Sequence, residues 1–191
     1  MSDMYRSFRD DPHTYYALAF GVGVIAAGVM TLLTYVAQRA GWTTFDLAMT
    51  LGTVSVFVDA PGPGVWFQGL IAVLVTGGLF ALIYAAVFEF VGLRGARAWR
   101  GVLLGAIHAV IGGALMGWTM PLVHDPIKSS PLLTDPGFMA WNYGMQTVAI
   151  FVALHLVFGA IVGGWLHFAP LAQRHLEDIG EQHKPSRPVP M

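Results

Sequence analysis

The sequence predicts an all-α integral membrane protein: an up-down bundle of four transmembrane helices with an extra amphipathic or re-entrant helix at the outer face. Three observations predict it. Only 11% of the 191 residues are Asp, Glu, Lys or Arg, against about 25% in a typical soluble domain, so the chain cannot furnish a charged surface. Another 55% are hydrophobic, with 23 glycines beyond that. Four long apolar stretches can each cross a hydrocarbon core about 30 Å thick, which needs roughly 20 residues. Only helices and closed barrels satisfy the backbone in lipid, and barrel strands are shorter and alternate. The stretches are therefore helices.

The first span covers about 15–37. Its apolar run is too long for a signal peptide, and aspartates stand among the arginines before it. A stretch at about 42–58, within "GWTTFDLAMTLGTVSVFV", holds Asp46, threonines and a glycine and is barely long enough to cross. Charge bias decides its place, because Lys and Arg gather on the cytoplasmic side. With four spans and an inner N-terminus, Arg6, Arg9, Arg94, Arg97, Arg100, Arg174, Lys184 and Arg187 lie inside, and only Arg39 and Lys128 outside. A fifth span would put "RGARAWR" outside. Residues 42–58 are thus expected on, or dipping into, the outer face. "DAPGPG" then turns the chain back.

The second, third and fourth spans cover about 66–91, 101–122 and 144–168. Residues 1–168 form a single transmembrane domain, and 169–191 form a cytoplasmic tail that begins helical and ends Pro-rich and partly disordered. The localisation expected is a bacterial inner membrane with both termini cytoplasmic. Trp42, Trp66, Trp118, Trp141, Tyr143 and Trp165 fall mostly near span ends, as an aromatic belt does.

Small residues let membrane helices approach closely. Candidate packing positions are Gly101, Gly105, Gly113 and Gly117 on the third span and Gly159 and Gly163 on the fourth, with Gly23, Ala27 and Gly28 on the first. Spans three and four also share a His followed four residues later by Gly, a weak sign of an internal repeat.

Ionisable residues inside a membrane are functional candidates. Here they are Glu89, His108 and His155, each expected on a helix–helix face. Two histidines on neighbouring helices could ligate a haem b. Counting from the inner span ends gives depths about six residues apart, a mismatch of roughly 9 Å at 1.5 Å per residue, so no cofactor is expected. Hydrogen-bonded rings that hold helices in register are the simpler expectation, and a proton or ion path the other. Glu89 is expected to pair with Arg94, Arg97 or Arg100, or to relay protons with His108. The same arginines are expected to contact anionic lipid head groups. His124, Asp125 and Asp135 in the outer loop read as a solvated loop; no metal site is expected.

The absence of cysteine excludes disulfides and thiolate chemistry. No Walker loop, G-x-G-x-x-G, H-E-x-x-H or G-x-S-x-G motif occurs, and no serine lies in any span. A non-enzyme is expected. The net charge of −1 carries no polybasic signal for nucleic acid.

From Gly69 to Phe168 the chain has a span ending in "LIYAAVFEF", a short basic turn, "WRGVLLGAIHAVIGGALMGWTMPL", a proline-containing loop and "ALHLVFGAIVGG". This arrangement resembles small bacterial inner-membrane proteins such as the YagU-like group. The resemblance implies four helices and transfers no catalytic residues. The function expected is an accessory subunit that packs against other membrane chains, or copies of itself, within the bilayer. The alternatives are a small transporter or proton-conducting oligomer using Glu89, His108 and His155, and a haem b electron carrier.

Overall fold

A computed structural model describes residues 12–56, 62–91, 98–123 and 134–182. Among them there is no strand. The helices are α1 (Pro12–Arg39), α2 (Leu47–Val56), α3 (Pro63–Phe90), α4 (Ala98–Val123) and α5 (Met145–Gln182), with a 3-10 segment at Phe138–Tyr143 before α5. Four stretches are long and apolar enough to cross a membrane: Tyr15–Arg39, Pro63–Phe90, Ala98–Leu122 and Met145–Leu166.

Local chemistry sets the boundaries. The Asp46 carboxylate accepts the Met49 amide at 2.9 Å, capping α2 as an N-cap acid does. Pro63 opens α3 behind an extended Gly62, where its missing N–H is harmless. Gly144, with φ of +97°, makes the corner before α5. α5 runs to Gln182, so residues 169–182 continue the last helix in one piece.

The closest packing pairs α4 with α5, α1 with α3 and α2 with α3, and α1 also lies against α5. Glycine dictates these pairings. A Cβ on Gly101 would strike the Gly159 carbonyl, and one on Gly105 the His155 carbonyl. The partner number falls as the α4 number rises, so the two helices run antiparallel. Gly23 on α1 lies in the same way against Gly77, Gly78 and Ala81 of α3. Gly69 of α3 meets the Ala48 carbonyl of α2.

Gly113 and Gly117 depart from the expectation of helix–helix packing. They receive the 3-10 segment instead: their Cβ positions collide with Met139 and Phe138. Met139 and Ala140 take left-handed φ values of 51° and 60° while buried, so that segment is held on α4 against local strain.

The core falls into two clusters. One, toward the α3–α4 connection, joins Ala19, Ala26, Ala85, Phe88, Phe158 and Val162. The other, toward the 3-10 segment, joins Phe45, Ala109, Met116, Met139, Ala140 and Phe151. Ile25, Leu32, Leu79, Ile83, Leu103 and Val110 are about half exposed or more, which suits helix faces solvated by lipid tails.

Candidate functional site

His108 of α4 and His155 of α5 meet edge to face, with ring centroids 4.8 Å apart and planes at 88°. The depth mismatch expected from sequence is not there. The rings touch, so on these two antiparallel helices His108 and His155 lie at one level, not roughly 9 Å apart. The antiparallel glycine contact between Gly105 and His155 keeps the two helices close enough for the rings to touch.

The pair lies in an aromatic cage. Phe80 stacks on His108 at 3.9 Å and Phe151 on His155 at 4.3 Å. Phe158 sits edge-on to His108 at 5.7 Å. Tyr84 of α3, 2% exposed, brings its hydroxyl 3.4 Å from His108 Nδ1. His155 Nδ1–H donates to the Phe151 carbonyl one turn back, at 2.8 Å. A carbonyl only accepts, so neutral His155 carries its proton on Nδ1 and leaves Nε2 bare. A Cβ on Gly112 would stand in ordinary contact with both rings, 3.6 Å from His108 Cδ2 and 3.8 Å from His155 Nε2. The two His-Gly motifs therefore differ: the helix crossing requires Gly159, whereas the ring pair does not require Gly112. Ring contact also leaves no gap for the macrocycle that bis-histidine haem ligation places between two imidazoles.

Glu89 does not join the pair. It is exposed at the far end of α3 and accepts a 2.7 Å hydrogen bond from the Tyr16 hydroxyl. His108 is ten residues into α4, roughly 15 Å from that end. Arg100 lies with its guanidinium 5.4 Å from the Trp99 ring centroid. Arg94, Arg97, His124 and Asp125 lie outside the described residues.

Beside the histidines is a half-open chamber of about 630 Å³, lined by α1, α3, α5 and the start of α2, with Leu32 and Tyr35 exposed along its open side. His155 lines its depth, together with Gly28, Leu74 and Leu154. Its walls are mostly apolar, and a polar group gathers at the other end. There Thr43 and Thr147 share a hydroxyl–hydroxyl bond of 2.7 Å, and Gln38 Nε2 donates to the Phe45 carbonyl at 2.8 Å. Trp66 Nε1 donates to Asp46 at 3.1 Å. A volume of this size, with apolar walls and a few polar groups, is typical of small-molecule sites.

Several of these residues carry no sequence signal as a site. Thr43 and Thr147 are 104 positions apart, and nothing local pairs them. Asp46 is legible as a cap, since it stands just before an apolar run. Tyr84 is a hydroxyl in an otherwise apolar stretch, which in lipid demands a partner.

The chain matches no protein-family model, no curated protein and no solved structure.

Proposed function

We propose that the chain is a small, non-enzymatic membrane carrier. Its binding chamber opens toward the outer surface and is closed at mid-membrane by His155, His108 and Tyr84. The observation that carries this reading is the chamber itself: about 630 Å³, reaching from Asp46 and Thr147 at one end to His155 at the other. Beyond His155 the path ends in the packed cluster of Tyr84, Phe88, Phe158 and Val162. A polar-mouthed cavity with an apolar plug beneath it is the form of one access state of a carrier.

In this reading the four spans run up and down, both termini are cytoplasmic, and α2 is re-entrant at the outer face of a bacterial plasma membrane. The charge distribution supports that orientation, with eight of ten Lys and Arg on the inner side.

The accessory-subunit reading, the one expected first from sequence, drew on glycine faces left over for partners. Gly101, Gly105, Gly159 and Gly163 lie in the α4–α5 contact, and Gly113 and Gly117 hold the 3-10 segment. Those faces are occupied within the chain, which weakens that alternative. The touching histidine rings weaken the haem alternative in the same way.

Mild extraction from native membranes tests the choice. A carrier comes out alone or with copies of itself. Stoichiometric recovery of other polypeptides would replace the carrier reading with the subunit reading.

A further inference from the structure

Most of the polar hydrogens along the chamber are held by acceptors of the protein itself. Thr31 and Thr34 donate their hydroxyl hydrogens to the carbonyls of Ala27 and Met30 on their own helix, each at 2.9 Å. Thr147 donates to Tyr143 O at 3.0 Å or shares its proton with Thr43. One amide hydrogen of Gln38 is held by Phe45 O, and the Trp66 N–H by Asp46. His155 uses its Nδ1–H on Phe151 O. Tyr35, 55% exposed at the rim, keeps a hydroxyl that can donate.

Among the described residues that line it, Asp46 is the only Asp, Glu, Lys or Arg, and Arg39 at the end of α1 is not one of them. The Asp46 oxygens accept the Met49 amide and the Trp66 indole, one each. A carboxylate has about four lone-pair sites, so capacity remains. The positive end of the α2 dipole offsets about half a charge, leaving the described lining net negative. The Trp66, Tyr35 and Phe45 rings line the same space, and aromatic faces attract cations.

We propose that the chamber takes an apolar organic cation, its charged head beside Asp46 and its body along the apolar shaft toward His155. The proposal rests on the chamber of the carrier reading and names what enters it.

The test uses the full chain in nanodiscs and a pair of ions alike in size and shape and opposite in charge, tetraphenylphosphonium and tetraphenylborate. Empty nanodiscs supply the partitioning baseline. The expected result is saturable binding of the phosphonium alone, weakened roughly tenfold or more by Asp46→Asn. Asparagine also caps helices well but has one oxygen where Asp46 uses two, so Asp46→Asn keeps the α2 cap, loses the Trp66 bond and is expected to stay folded with an unfolding temperature slightly below wild type. Leu154→Trp, which fills the shaft, abolishes binding in a folded protein. Equal binding of both ions, unchanged phosphonium affinity in Asp46→Asn, or no binding above empty discs overturns the ligand class. A Thr34→Cys variant, labelled by maleimide in the same discs, separates the two failures. A reactive thiol without phosphonium binding leaves the chamber standing and removes the cation, whereas an unreactive thiol removes both.

Discussion

At the scale of single residues, the Tyr84–His108 contact makes a definite energetic claim. Tyr84 is buried, and His108 Nδ1 is the partner recorded for its hydroxyl. His108→Phe keeps the aromatic cage but orphans that hydroxyl, which costs about 1–3 kcal/mol. Tyr84→Phe on the same background should recover much of the loss, since removing both partners is close to neutral. Thermal unfolding of the two single variants and the double variant in detergent measures the coupling. Additive losses would mean the 3.4 Å contact contributes nothing. Asp46 makes a second claim. Asp46→Ala removes the α2 cap and should cost about 0.5–2 kcal/mol, whereas Asp46→Asn should cost much less. Equal losses would show that charge, not capping geometry, holds α2. Sequence pattern placed both histidines within spans but not beside one another. That required helix ends accurate to a few residues, and ends are what periodicity fixes least well. Asp46 was visible only as a polar blemish in an apolar run, because its tie to Trp66 crosses 20 residues.

At the scale of elements, glycine has opposite effects at different positions. On Gly105 a Cβ meets the His155 carbonyl, so Gly105→Ala must part α4 from α5 and should destabilise by roughly 1–3 kcal/mol. Gly21, in the middle of α1, has nothing within 4 Å of its Cβ position. Gly21→Ala should be neutral or stabilise by up to about 1 kcal/mol, the helical penalty of glycine. Unfolding temperatures of the pair decide whether the crossing is as close as described; equal shifts would argue against it. The sequence marked Gly101 with Gly105, and Gly159 with Gly163, as small-residue pairs, because four-residue spacing puts each pair on one face of its helix. It could not tell that Gly113 and Gly117 meet a 3-10 segment. The same spacing serves either partner, and the left-handed Met139 and Ala140 have no local signature. The apolar run and the Pro-Gly turn after it predict a helix at about 42–58; α2 runs Leu47–Val56 and opens later because Asp46 caps it there.

For the whole molecule, four membrane-length helices were legible from composition and run length alone. The chamber was not. It is the space left between α1, α3 and α5 when their closest glycine contacts lie elsewhere, and no single segment encodes it. The carrier account stands on that space being open to the outer side and uncovered in the native membrane. The chain has no cysteine, so single thiols report cleanly. Thr34 lines the chamber toward its mouth, and Val162 is fully buried in the plug. The most direct measurement is labelling of Thr34→Cys and Val162→Cys in intact cells with a membrane-impermeant maleimide. The account predicts that Thr34→Cys reacts and Val162→Cys does not. A Thr34→Cys thiol that is silent in cells and reacts only after solubilisation would contradict it, because lipid or another chain would then fill the space assigned to a ligand.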